Sequence, residues 1–277
     1  MSRMSGNAEH LTIDGLAVTL LGPARGAPVL MSAGLGGLGG YWKPQLDALT
    51  RQYRVILYDH RGTGGSERAI PHPYDSQHLG LDMGRILDGL NLDSAHIVGH
   101  AAGGIAGLDL ALRQPDQVRS LTVVNGWAVA DPHFKRCFEI RTAIYKAGGP
   151  LAYLKAQPLF LFPAEWISDH LAELDAQAEH HAAGFQDEAT LMARIGALRD
   201  FDITRSLGQI GCPVLVVGSE DDMLVPARSS RRLAAGLPNA TLAMMPRGGH
   251  AVNVTEATAF NTLLIDFLEK LMSPRGD

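Results

Sequence analysis

Seven short apolar runs recur along the chain, and helical or loop segments separate most of them. The runs are HLTIDGLAVTLLG, APVLMSA, YRVILYD, SAHIVG, SLTVVNG, CPVLVVGSE and ATLAMMP. The first run alternates apolar and polar residues, as an edge strand does, whereas the later runs are continuously apolar, as buried parallel strands are. This succession predicts an α/β protein with a mostly parallel central sheet and flanking helices.

Helical periodicity is clearest near the C-terminal end. Apolar residues recur there at helical spacing, at Phe260, Leu263, Leu264, Phe267, Leu268 and Leu271, and predict a helix packed on the sheet. Between Trp127 and about Leu207 the strand runs give way to helical segments such as PHFKRCFEIRTAIYKAGG and EATLMARIGALRDFD. We therefore predict a core of residues 1–127 and 208–277, with a helical cap, 128–207, inserted in it.

Composition and charge restrict the kinds of partner that the protein can bind. The chain has 277 residues, 46% hydrophobic and 19% charged, which is enough for one large domain with a buried core. A formal net charge of -5 without long runs of like charge gives no electrostatic footprint for nucleic acid or an anionic membrane. No segment resembles a signal peptide or a membrane span, and Cys137 and Cys212 form no CxxC motif. These features predict a cytoplasmic protein with a small-molecule partner, and they leave a homodimer open.

The segment GLGGLGG has two interpretations. Gly34, Gly36 and Gly39 satisfy GxGxxG after a strand, and Asp59 follows at the end of the next strand, as in a dinucleotide site. However, the following helix is short, starting near Pro44, and the preceding strand is not the first. The favoured alternative is a loop that bends over the sheet and turns a backbone N–H towards a reacting oxygen.

The segment DHRGTGGS ends a strand and contains three glycines. A structural turn held by an Asp59–Arg61 pair is the favoured interpretation. Contact between His60 and a substrate is the less favoured one.

The segment GHAAGG follows an apolar strand and precedes a helix. Gly99 and Gly103 flank Ala101 at minus two and plus two, where side chains would collide in a tight strand-to-helix turn. Many hydrolases hold a catalytic serine in such a turn, but the central residue here has no nucleophilic atom. A plain structural turn is the alternative.

A carboxylate and an imidazole follow two successive strand runs. Asp221 and Asp222 lie just beyond the first run, and His250 lies just beyond the second. A carboxylate that fixes the histidine tautomer makes a general-base pair. We prefer Asp222 because Pro226 follows four residues later, although Asp221 is a rival. No metal site or cofactor is predicted.

The order of the glycine loop, DHRGTGGS, GHAAGG, EDDMLVP and GGH resembles the α/β-hydrolase superfamily over the whole chain, cap included. Within it, the chain is most similar to the aminoacrylate or carbamate hydrolases of the Rut pathway of pyrimidine (uracil) nitrogen use. This resemblance is carried by GLGGLGGYWKPQL, VNGW, RCFEIR, AQPLFLFPAEW, LVP and GGHAVNVT.

The resemblance implies a role for each matching position. Asp222 and His250 would be the acid and the histidine of the triad, and the amides of Leu35 and Ala102 would form the oxyanion hole. The nucleophile position falls on Ala101, where most of the superfamily has serine. Members of this group can carry alanine there.

The missing hydroxyl leaves room for about one water, which His250 can deprotonate. General-base catalysis of this kind contributes about 10²- to 10⁴-fold, which suits a labile compound better than an unactivated ester or amide. The expectation is a hydrolase of C–N bonds that releases ammonia from a small anion, carbamate or aminoacrylate. The side chains expected in the pocket wall are those of Trp42, His100, Asn125 and Trp127.

Two alternatives stay open at this point. The chain could be a serine esterase or C–C hydrolase carrying a Ser→Ala substitution at Ala101. It could also be a non-catalytic, ligand-binding member of the fold.

Overall fold

Eight strands form one sheet in the computed structural model, which describes residues 8–272. They are β1 (Glu9–Ile13), β2 (Leu16–Leu21), β3 (Ala27–Ser32), β4 (Tyr53–Tyr58), β5 (Ala95–His100), β6 (Val118–Val124), β7 (Val214–Ser219) and β8 (Ala240–Met245). Their order across the sheet is β1-β2-β4-β3-β5-β6-β7-β8. β2 is antiparallel to both neighbours and all the other pairs are parallel. The predicted mostly parallel α/β sheet is confirmed.

The two edge strands differ from the buried ones. The first apolar run is two strands, because Asp14 and Gly15 take positive φ angles of 47° and 76° and form a tight turn between the paired residues Ile13 and Leu16. Its alternation correctly predicts an edge position. The prediction that all later runs are buried is wrong for β8, which forms the opposite edge and leaves Leu242 40% exposed.

Ten α-helices occur within the described residues. They are α1 (Lys43–Leu49), α2 (Ser76–Gly89), α3 (Ala102–Arg113), α4 (Pro132–Ala156), α5 (Pro158–Leu161), α6 (Ala164–Ala182), α7 (Glu188–Arg199), α8 (Ala227–Gly236), α9 (Val252–Thr255) and α10 (Ala257–Met272). Between residues 8 and 272, no helix is both long enough and apolar enough to cross a membrane.

Helices α4 to α7 lie between β6 and β7, in the segment where the sequence predicts a cap. The longest of them, α4, is broken at Gly149, whose φ of 68° and ψ of -164° are non-helical. The domain boundaries themselves stay a prediction, and residues 1 and 277, which end the predicted core, lie outside the described residues.

The C-terminal helix packs as its periodicity predicts. Phe260, Leu264 and Leu268 of α10 are fully buried and share one apolar cluster with Val98 of the central strand β5. Leu271, in the last turn, is 37% exposed. Burial of this stripe holds α10 against one face of the sheet.

The loop DHRGTGGS after β4 is held differently from the prediction. The two carboxylate oxygens of Asp59 accept hydrogen bonds from the amides of Gly39 and Gly65, at 2.8 and 2.9 Å. Arg61 instead pairs with three other carboxylates, those of Asp14, Glu67 and Asp82. The expected Asp59–Arg61 pair is therefore wrong. Because both carboxylate oxygens of Asp59 already accept hydrogen bonds from loop amides, a structural role fits the residue better than ribose binding does.

Candidate active site

The parallel strands bring four loops to one edge of the sheet. The loop after β3 carries Leu35, and the turn after β5 carries Ala101; the loops after β7 and β8 carry Asp222 and His250. A cavity of about 690 Å³ lies above this edge, and residues of α4 to α7 close it from the other side. Leu35, Ala101 and His250 all line the cavity.

The turn after β5 is strained in the way its glycines suggest. Ala101 has a φ of 46° and a ψ of -106°, a conformation that L-residues rarely adopt. A Cβ atom on Gly103 would lie 2.1 Å from the carbonyl oxygen of Ser32, and one on Gly99 would lie 2.3 Å from backbone atoms of Gly103. The two glycines therefore permit the sharp turn that presents residue 101 to the cavity.

Replacing Gly103 by alanine should lower the free energy of unfolding by about 3 kcal/mol or more, because the clashing atoms belong to the backbone and cannot rotate away. Gly36→Ala is the matched control, since no heavy atom lies within 4 Å of its added Cβ. Urea denaturation of both variants would measure the difference. Equal stability of the two variants would contradict the close approach of Gly103 to Ser32.

An aspartate and a histidine form a buried pair at the cavity wall. His250 Nδ1 lies 2.8 Å from Asp222 Oδ2. The other carboxylate oxygen, Oδ1, accepts hydrogen bonds from the amides of Leu224 and Val225, both at 2.8 Å. The carboxylate is therefore fixed by three groups, and it leaves Nε2 of His250 as the ring nitrogen available to the cavity.

Asp221, the rival acid, has a different set of partners. It accepts hydrogen bonds from the Ser219 hydroxyl and from the amides of Gly248 and Gly249. Burial opposes its ionisation, but these hydrogen bonds outweigh burial and lower the pKa of Asp221. Asp221 therefore holds the loop that carries His250, whereas Asp222 contacts the imidazole itself.

The backbone amides of Leu35 and Ala102, the residues expected to form an oxyanion hole, belong to the cavity lining. The amide of Ala102 is the first in helix α3, where N–H groups have no partner within the helix. Neither this amide nor that of Leu35 donates to any other described residue, and both residues line the cavity. Free amides of this kind can stabilise negative charge.

His100 and Asn125 both support the loop of His250. His100 Nε2 donates to the carbonyl oxygen of His250 at 2.9 Å, and the amide nitrogen of Asn125 donates to the same oxygen at 2.7 Å. The pKa of His100 is held well below its usual value, mainly by burial and secondly by the electrostatic effect of His250, so the ring is neutral. His100 lines the cavity, whereas Asn125 lies outside the lining, so the expected place of Asn125 in the pocket wall is wrong.

The remaining candidates divide in the same way. Trp127 lines the cavity. Trp42 does not, and its expected place in the wall is wrong, because its side chain is fully buried in the apolar cluster that contains Phe260. His60 is also outside the lining and contacts Ser32 and Arg194 instead.

The sequence motifs did not predict the part of the cavity wall that helix α4 supplies. Phe134, Phe138 and Arg141 of α4 line the cavity. Their spacing of four and three residues places them on one helix face, and this was the signal available in PHFKRCFEIR. Among residues 8–272, no group of three or more histidine, cysteine or acidic side chains could hold a metal ion.

Comparison with known families agrees with this architecture. Residues 27–146 match a family model described as the alpha/beta hydrolase fold, and residues 200–277 match one described as TAP-like protein. A solved structure of a hydrolase from Pseudomonas aeruginosa PA01 superposes with a TM-score of 0.81 at 30% identity, covering 95% of this chain and 99% of that one. The enol-lactonase from Burkholderia xenovorans LB400 shares the fold, with a TM-score of 0.84 at 24% identity over 94% of this chain and 100% of that one.

Sequence relatives are similar over almost their whole length. A Caulobacter sp. (strain K31) protein named "Putative carbamate hydrolase RutD" is 51% identical over 93% of this chain and 97% of its own length. A protein of the same name from Agrobacterium fabrum (strain C58 / ATCC 33970) is 46% identical over 88% of this chain and 94% of its own. The chain therefore belongs to the α/β-hydrolase superfamily, and within it to the family of these RutD-named relatives.

Proposed function

We propose that the protein is a C–N hydrolase that speeds the breakdown of a labile small anion, carbamate or aminoacrylate, with release of ammonia. The observation that carries this proposal is an intact Asp222–His250 pair beside an elbow whose central residue, Ala101, has no nucleophile. The name of the relatives supports the choice of substrate. A place in pyrimidine nitrogen catabolism and a cytoplasmic location belong to the same proposal.

The charges around the cavity support an anionic substrate. The charged side chains of the described lining are those of Arg68 and Arg141, and no aspartate or glutamate occurs among these residues. A cavity lined by one sign of charge concentrates ligands of the opposite sign.

The proposed reaction uses a water molecule in place of a serine. His250 Nε2 removes a proton from water, and the hydroxide attacks the carbon that bears the nitrogen. In carbamate this is the carboxylate carbon. In aminoacrylate it is the C=N carbon of the imine tautomer, which forms when a proton moves from the nitrogen to the methylene carbon. The amides of Leu35 and Ala102 stabilise negative charge on the substrate oxygens. With carbamate, the protonated imidazole then gives its proton to the nitrogen, the C–N bond breaks, and ammonia and bicarbonate leave. With the imine, that proton forms the NH₂ group, and the new hydroxyl group then passes its own proton through His250 to the nitrogen, so that the C–N bond breaks and ammonia and pyruvate leave. In both cases the enzyme returns to its starting state. Asp222 keeps His250 in the tautomer that this cycle requires.

The decisive experiment is ammonia release from each candidate substrate at fixed pH, with and without the purified protein. Acceleration of neither compound would reject the proposal.

Restoring a hydroxyl at the elbow tests the role of the water. We expect Ala101→Ser to lower ammonia release by about 10²-fold, because its hydroxyl displaces the water from its reacting position. Ala101→Gly is the matched control and should retain activity, since it keeps the space and suits the positive φ. A different result would favour an esterase whose serine has been replaced by Ala101. In that case Ala101→Ser would hydrolyse esters strongly and would release ammonia no more slowly than the unchanged protein.

A further inference from the structure

The cavity is much larger than the substrates proposed for it. Its volume of about 690 Å³ lies in the range of sites for drug-sized ligands, whereas carbamate has only four non-hydrogen atoms. Shape alone therefore cannot hold such an anion beside His250, and a charged anchor is required.

A buried guanidinium in the cavity wall lacks an anionic partner. Arg141 of α4 is only 4% exposed, yet no described carboxylate lies within ion-pair distance of it. Among the described residues it makes a single hydrogen bond, a long one of 3.4 Å from Nη2 to Gln157 Oε1, and its Nε is buried without a partner. Burial of a charge is unfavourable unless the charge is paired.

The surroundings of Arg141 hold it in place without neutralising it. Its guanidinium lies 4.6 Å from the ring centre of Phe138 and 4.8 Å from that of Tyr153. Aromatic faces attract a cation, but they leave its N–H donors free for another ligand. A guanidinium fixed in this way is suited to bidentate binding of a carboxylate.

Other buried arginines show the contrast. Arg61 is 7% exposed and contacts three carboxylates. Arg194 also lacks a carboxylate partner within residues 8–272, but it lies outside the cavity lining and donates to Gln186 and His60 from its two terminal nitrogens. Arg141 combines burial, free donors and a position in the cavity wall.

We propose that Arg141 binds the carboxylate oxygens of the substrate and thereby selects anions bearing a CO₂⁻ group. This inference rests on the proposed function for the identity of the site, but it can be tested without turnover. Carbamate and aminoacrylate share the group in question, so the proposal applies to both.

Calorimetric binding of crotonate, a stable planar carboxylate, and crotonamide, its neutral isostere, provides the test. We expect wild type to bind crotonate more tightly, and Arg141→Gln to weaken crotonate binding about 10- to 100-fold, as loss of hydrogen bonds to a charged group does. Crotonamide binding should not change. Arg136→Gln is the matched control, since Arg136 lies on the same helix with its side chain 76% exposed.

Equal crotonate binding by wild type and Arg141→Gln, or equal losses in Arg141→Gln and Arg136→Gln, would overturn the proposal. If Arg141→Gln does not fold, Arg141→Lys and the crotonate preference of wild type decide. Wild-type preference for crotonate, with weaker crotonate binding by Arg141→Lys, supports the anchor, and lack of that preference overturns it. Arginine-dependent crotonate binding without any ammonia release would leave this inference standing and reject the proposed function.

Discussion

Replacing His250 by alanine should lower ammonia release from carbamate or aminoacrylate by about 10²- to 10⁴-fold, the usual contribution of a general base. The imidazole is the one group in the described cavity lining that is both hydrogen-bonded to a buried carboxylate and next to the elbow. A water molecule in the variant has lost the base that Asp222 orients. Steady-state rates at saturating substrate would measure the loss, with the uncatalysed rate subtracted.

A histidine elsewhere on the surface provides the control for this experiment. His10 on the edge strand β1 is exposed and contacts Thr19, far along the sheet from the cavity. His10→Ala should therefore keep the wild-type rate. If His250→Ala releases ammonia as fast as His10→Ala does, His250 is not the base.

The arrangement of the elbow, Asp222 and His250 could be predicted because it depends on glycine spacing and on the order of the strands. Gly99 is required by a close backbone contact with Gly103 inside the turn, and Gly103 is required by the carbonyl oxygen of Ser32 at the end of the neighbouring strand β3. Asp222 and His250 follow strands that are parallel neighbours, and such strand ends meet at one edge of a sheet. Motif order therefore carried the arrangement of these residues.

The pocket wall could not be predicted in the same way. Trp42 is close in sequence to the glycine loop, but its side chain is buried in the apolar cluster that α10 forms with the sheet. Asn125 follows a central strand, yet its amide is used to hold the loop of His250. Arg141 belongs to a helix whose orientation over the sheet depends on tertiary packing. Long-range contacts of this kind decide whether a side chain reaches the cavity. They cannot be predicted from how close a residue lies to a motif in the sequence.

Asparagine substitutions at Asp222 and at Asp221 distinguish which of the two carboxylates acts with His250. In Asp222→Asn, the amides of Leu224 and Val225 still require an acceptor at the position of Oδ1. The asparagine oxygen takes that position and its NH₂ group turns towards His250. Nδ1 must then accept a hydrogen bond, so the proton moves to Nε2, the atom that has to act as base. We expect a loss as large as that of His250→Ala, about 10²- to 10⁴-fold.

The matched variant is Asp221→Asn, which changes the neighbouring carboxylate without touching the imidazole. Its partners are Ser219 and two loop amides, so we expect a lower unfolding temperature with a smaller effect on ammonia release. The double variant His250→Ala/Asp222→Asn should be no slower than His250→Ala alone, because residues that act as one unit are not additive. A larger activity loss in Asp221→Asn than in Asp222→Asn would transfer the role of acid to Asp221. Losses that multiply in the double variant would show that Asp222 acts independently of the histidine.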